Sequence, residues 1–182
     1  MEKIIFLDWD GPVSNTRTWK MPGQVDPVAI QLLNDLTVAG WKTVLSSTIR
    51  AHFFCDDLGG PRASEQAREA ATQFMRDRGF NVRWYEYSWC TSIERITKRH
   101  LEVVQWMMDT PLPEDAVFMV IDDEHFPHDL LERGRMTQCH ARSDSGIDYL
   151  SISEAYRIGE MTDAQLAEHF EVDNEPDDEG DL

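Results

Sequence analysis

Apolar runs too short for helices alternate along the chain with stretches of helical spacing. Residues 3–7 form a near-continuous apolar run that ends on Asp8-Trp9-Asp10-Gly11, which predicts a buried strand closed by a turn. Residues 11–26 hold Gly11, Pro12, Pro22 and Gly23 and predict a loop or flap. Val28, Ile30, Leu32, Leu33 and Leu36 then recur at helical intervals, so residues 27–39 predict a helix. Asp26 is its N-cap, Pro27 its first position and Gly40 its stop. Residues 41–45 predict a second strand running into Ser46-Ser47-Thr48, and residues 56–61 a turn. Residues 63–78 predict a helix with Ala67, Ala70, Ala71, Phe74 and Met75 inward, stopped by Gly79. A third strand is expected over 82–87, and a helix over 97–109 with Leu101, Val104, Gln105 and Met108 at helical intervals. Pro111 and Pro113 break the chain before the most apolar strand, 116–121. A fifth strand over 137–140 and short helices over 153–158 and 163–170 complete the pattern.

Strands alternating with helices predict an α/β fold whose mainly parallel sheet is covered on both faces. Ligands of such sheets bind beyond the carboxyl ends of the strands. The 182 residues predict one domain over 1–170, followed by a tail, 171–182, that carries seven acids and no base. The tail lacks apolar surface to fold, so it is expected to be a disordered, solubilising end, open to a protein partner.

Charge narrows the function. The formal net charge is −17, and residues 1–170 still hold −10, which argues against a long groove tracking a nucleic-acid backbone. No apolar stretch approaches the roughly 20 residues that cross a bilayer, and the first residues do not read as a signal peptide. Three widely spaced cysteines suit reduced thiols better than disulfides or a zinc site. Together these predict a cytoplasmic protein with no membrane partner.

The polar residues of interest stand just past strand ends. Asp8 and Asp10, one residue apart after the first strand, can share one mouth, one to attack and one to handle protons, while Gly11 allows close backbone approach to an anion. Ser46, Ser47 and Thr48 after the second strand offer hydroxyls to a phosphate oxygen. Lys98 opens the helix before the apolar strand, and Asp122-Asp123 follows that strand. Carboxylates crowded into one small volume repel by about 4 kcal/mol per close pair at an effective dielectric near 20, so some stay protonated or a cation sits among them. Oxygen ligands without His or Cys favour a hard ion, and Mg²⁺ suits a phosphate substrate best.

These residues resemble a known family. Lys3-Ile-Ile-Phe-Leu-Asp8-Trp-Asp10-Gly11 is similar to the first motif of the haloacid dehalogenase (HAD) superfamily, and Val44-Leu45-Ser46-Ser47 to its second. Lys98 fits the third motif, and the apolar strand followed by Asp122-Asp123 resembles the fourth, all in family order. Leu45-Ser-Ser-Thr-Ile-Arg50, Ile121-Asp-Asp and Ser145-Gly146-Ile147 further resemble a cap-poor subgroup, the HAD domains associated with RNA-repair (Swiss Army Knife) proteins. The resemblance implies a three-layer, Rossmann-like domain with a minimal cap, acting as a Mg²⁺-dependent phosphatase. It implies Asp8 as nucleophile and Asp10 as acid and base. Ser47 or Ser46 and Lys98 would hold phosphoryl oxygens, and Asp8, Asp122, the Trp9 carbonyl and Asp123 the metal. Pro12, which has no N–H, and the bulky Trp9 depart from the usual pattern.

Each residue also has a plainer reading. An acid pair after a strand is often a solvated turn, and a lone helix lysine is usually a solvated face, with Arg95 and Arg99 beside it. Strand alternation sends only one of Ser46 and Ser47 toward the mouth. Arg50 reaches either a substrate phosphate or a surface partner. His125 and His128 suit capping or hydration, and Trp84, Tyr85, Tyr87 and Trp89 suit core packing better than base stacking. The expected substrate is a nucleotide or a nucleic-acid terminal phosphate. Two alternatives remain, a HAD scaffold that binds without turnover and a phosphotransferase of the same fold.

Overall fold

The computed structural model describes residues 1–20, 24–53, 64–92, 98–142 and 144–172. Its elements run β1 (Lys3–Leu7), α1 (Pro27–Val38), β2 (Lys42–Leu45), a 3₁₀ turn (Thr48–His52), α2 (Glu65–Arg76), α3 (Arg99–Asp109), β3 (Val117–Asp122), α4 (His128–Arg133), β4 (Met136–Arg142), β5 (Gly146–Ile147), α5 (Tyr149–Gly159) and α6 (Asp163–Val172). They build a five-stranded sheet of order β2-β1-β3-β4-β5. The first four strands of that sheet are parallel, and β5 closes the edge antiparallel to β4.

Strand alternation divides the core into two faces. Ile5, Leu7, Met119 and Ile121 point to one side, where α1, α2, α5 and α6 supply Leu33, Leu36, Ala71, Met75, Ile158 and Leu166. Ile4, Phe6, Phe118 and Val120 point to the other, packed by Val103 and Trp106 of α3 and by Leu130 and Leu131 of α4. Helices on both faces of a mostly parallel sheet give three layers, and explain why β1 and β3 are apolar at nearly every position. The helix starts obey the capping rules: Asp26 accepts from the Val28 amide at 2.9 Å and Ser64 from Ala67 at 3.2 Å.

Some expectations need correction. Residues 82–87 are not a strand. Its backbone bridges β2 at Thr43↔Trp84, and the next bridge, Leu45↔Cys90, lies beyond the segment. Two steps along β2 are thus matched by six residues, so the excess loops outward, with Tyr87 exposed. Helix α3 buries Arg99, Glu102, Val103 and Trp106, whereas Leu101 and Met108 lie outside. Ala70 is exposed on α2. Helix α4 and strand β5 lie outside the predicted pattern, and α5 and β4 run longer than it predicts. The expected turn at 56–61 and residues 173–182 of the acidic tail lie outside the described residues, whereas Glu171 and Val172 belong to α6. No described helix is long and apolar enough to cross a membrane.

Candidate active site

Register alone assembles the acids. Leu7 pairs with Leu45 on one side and Ile121 on the other, so Asp8, Ser46 and Asp122 lie side by side at the carboxyl edge of the sheet. Backbone bonds extend the ladder one step further, from Asp8 N to Ile121 O and from Ser46 N to Leu7 O, both 2.8 Å. β2 and β3 flank β1, so the chain leaves β1 at the switch point where ligands of such sheets bind. Asp8, Asp122 and Asp123 each present an oxygen, and these oxygens lie within 4.8 Å of one another.

The electrostatics are unfavourable as the residues stand. Burial pushes the Asp8 carboxyl up from 3.8 to about 6, and the charges of Asp123 and Asp10 add to it, against opposition from Arg99 and Ser47. Burial, and then Asp8 itself, pushes Asp122 up to about 8. Asp123 is raised in the same direction, first by burial and then by Glu124. One oxygen of Asp122 accepts from the Glu124 amide at 2.8 Å. Asp8 Oδ1 is buried and accepts no hydrogen bond.

The cation that reaches these acids is Arg99, not Lys98. Arg99 is 8% exposed, with Nη2 at 3.8 Å from Asp8 and Nε at 3.4 Å from Asp122. Lys98 occupies the exposed N-cap position of α3. The signal was in the helix phase: Arg99 and Glu102 share a face with Val103 and Trp106, which must point inward. Arg50 is also corrected. It is 1% exposed and cannot meet a substrate, because its guanidinium donates to Ser47 O at 2.7 Å and to Glu102 at 2.5 Å. Glu102 accepts from Arg99 as well, at 3.3 Å, and thereby joins the two guanidiniums.

Hydroxyls complete the mouth. Ser47 and Thr48 donate to Asp10 Oδ2 at 3.3 and 3.0 Å, and Asp10 is exposed. The Ser46 hydroxyl is buried without a partner, so of the two serines it is Ser47 that meets the acids. Gly11 has φ +99°, and a Cβ there would come within 2.7 Å of Asp123 Oδ2, so only glycine lets the loop pass the acid unstrained. Its amide donates to Ser14 O at 2.8 Å, which commits that N–H to the loop. The Trp9 carbonyl, expected as a metal ligand, instead accepts from the Val13 and Ser14 amides at 3.1 and 2.9 Å, engaging both its lone pairs. His125 stacks on His140 at 4.1 Å beside this edge, and exposed His128 pairs with Glu132.

The residues fit a divalent cation. Three carboxylates converge, two are pushed toward protonation by burial and mutual repulsion, and a buried oxygen lacks a donor. Asp8, Asp122 and Asp123 would hold the ion, and oxygen-only donors select a hard one.

No curated protein and no solved structure matches the chain. One family model does, over residues 4–147, and its span takes in the acids, the serines and Arg99. Membership carries HAD-type phosphatase chemistry in general, a family that generally uses Mg²⁺. By that match the chain belongs to the family described as the HAD domain in Swiss Army Knife RNA repair proteins.

Proposed function

We propose that this chain is a phosphomonoester hydrolase that works through an aspartyl-phosphate on Asp8 and uses Mg²⁺ held by Asp8, Asp122 and Asp123. The observation that carries the reading is the convergence of those acids at the edge between β1 and β3, with Arg99 against them. Bound there, Mg²⁺ supplies positive charge that draws the phosphate toward the acids and offsets charge in the transferring group.

The chain's own groups do the rest. The Asp8 carboxylate attacks phosphorus, the ester P–O bond breaks, and Asp10 gives its proton to the leaving oxygen. Asp10, now a carboxylate, takes a proton from water. The water oxygen attacks phosphorus and the Asp8–phosphorus bond breaks, releasing inorganic phosphate and restoring both acids. Hydroxyls of Ser47 and Thr48 hold the Asp10 carboxyl in place. Arg99, 3.8 Å from Asp8 Oδ1, would bind the phosphoryl oxygens.

The substrate reading is a nucleotide or a nucleic-acid terminal phosphate. It is supported by the RNA-repair description of the family and by an acidic body that disfavours long nucleic acid. Turnover of an aryl phosphate with and without Mg²⁺, beside Asp8→Asn, tests the chemistry. Metal-independent turnover, or an active Asp8→Asn, refutes it. Added alcohols separate hydrolysis from transfer, because only a transferase yields the new phosphate ester.

A further inference from the structure

We infer that the cavity beside Asp10 is the leaving-group subsite of this site and takes a nucleoside whose base stacks on the Arg78 guanidinium. Its assignment as a leaving-group subsite rests on the phosphatase reading above. The cavity measures about 420 Å³ and is lined by Trp9, Asp10, Thr48, His52, Phe74 and Arg78, among others. Asp10 stands in its wall, so an oxygen protonated by Asp10 belongs to a group lying in this cavity. The volume falls within the roughly 300–1,000 Å³ of small-molecule sites. A short acyclic alcohol would leave most of it to solvent.

The wall chemistry selects the class. The Arg78 guanidinium lies over the Phe74 ring, its central carbon 3.5 Å from the ring centroid, and its Nη1 donates to Phe74 O at 3.1 Å. Phe74 is fixed in turn by edge contacts with Trp9 and Phe53, at 5.6 and 5.5 Å between centroids. The result is a flat, delocalised layer held on a rigid floor, the kind of surface on which nucleobases stack. In the same lining, Thr48 and His52 offer hydrogen-bonding groups to a base or ribose edge. With the Arg78 guanidinium face as its stacking layer, the cavity suits a planar ligand.

The test is titration of adenosine into the 182-residue chain, followed by NMR shifts and calorimetry, with turnover of an aryl phosphate in the presence of Mg²⁺ measured in parallel. Adenosine is expected to shift residues of this cavity. Arg78→Ala should weaken its binding about ten- to hundredfold. Arg78→Lys keeps the charge but not the plane, so it should fail to restore binding. His52→Ala, at an exposed position, should weaken it less. No adenosine binding, or wild-type affinity in Arg78→Lys, overturns the inference. If aryl phosphate is hydrolysed in an Asp8-dependent way while adenosine does not bind, the subsite falls and the phosphatase reading stands. If adenosine binds through Arg78 while no ester is turned over, the nucleoside site stands and the phosphatase reading falls.

Discussion

Replacing Glu102 by Gln tests the charged network that positions Arg99. Glu102 is the shared acceptor of Arg50 at 2.5 Å and Arg99 at 3.3 Å, and all three residues are less than 9% exposed. Gln preserves the shape and one accepting oxygen but removes the charge, leaving two buried guanidiniums facing a neutral amide. Burial already lowers Arg50 below the ordinary arginine value, with Glu102 opposing that shift, so the guanidinium depends on its partner. Breaking a buried pair by removing one member costs about 3–5 kcal/mol. The retained hydrogen bond places Glu102→Gln at the lower end, about 3 kcal/mol. That is a large share of a typical stability of about 5–15 kcal/mol. At about 2–4 °C per kcal/mol for a chain of this size, the melting temperature should fall by about 6–12 °C. Urea unfolding should show a lower midpoint at unchanged slope, since the surface exposed is the same. Arg50→Met combined with Glu102→Gln should cost less than the two single changes together, because the pair is coupled. A loss under about 1 kcal/mol, as at exposed pairs, would refute the network.

Three other outcomes follow from the site. Gly11→Ala places a Cβ 2.7 Å from Asp123 Oδ2 at φ +99°, so it should cost at least about 1–2 kcal/mol and weaken Mg²⁺ binding measured by calorimetry; unchanged affinity would contradict the close approach. Arg99→Lys loses the planar fork and should lower kcat/KM for an aryl phosphate about 10²–10³-fold, whereas Lys98→Ala should change it less than about threefold; the reverse order would restore Lys98 as the phosphate-binding cation. In chelator, the folded protein binds protons at Asp8 and Asp122 more tightly than the unfolded chain does, since their values rise from 3.8 to about 6 and about 8. That contribution to stability is full below the unfolded value and is lost as pH rises through about 6 and then about 8. The gain in melting temperature from Mg²⁺ should therefore grow between pH 5 and 8, and a pH-independent gain would refute the linkage.

The legible parts of this chain are those that depend on period and order. Four-residue apolar runs such as Ile4–Leu7 announced strands buried on both faces, and the acids could be placed because each directly follows such a strand. Register then brings Asp8 and Asp122 together whatever the loops do. The phase of α3 is not legible in the pattern, because Leu101 and Met108 are as apolar as Val103 and Trp106, and only packing against Phe6 and Phe118 selects the second set. The same ambiguity conceals Arg99, since a buried charge looks like a surface one until its partners are known. Residues 82–87 failed for a different reason. Their aromatics favour a strand, yet propensity says nothing of the mismatch in length against β2 that forces the loop outward. The Trp9 carbonyl was out of reach because its fate is set by the Val13 and Ser14 amides of a tight turn.

The buried charges explain why a divalent ion, and not simply one more basic residue, suits this site. Among the described residues, Asp8, Asp122 and Glu102 pair with Arg99 and Arg50 alone, and Asp123 adds a fourth acid, an excess of two negative charges when all are ionised. Protons can remove that excess, which is what the upward shifts of Asp8 and Asp122 express. A protonated Asp8, however, would not serve as the nucleophile of the proposed reaction. A third buried arginine would balance the charge but would occupy the volume a phosphate must enter. A small ion of charge two held by Asp8, Asp122 and Asp123 would balance it without filling the mouth and would keep Asp8 ionised. Meanwhile the order Asp8/Asp122–Arg99–Glu102–Arg50 alternates in sign and ends on the Ser47 carbonyl. The charges that prepare the site for a cation therefore also brace the turn that delivers the Ser47 hydroxyl to Asp10.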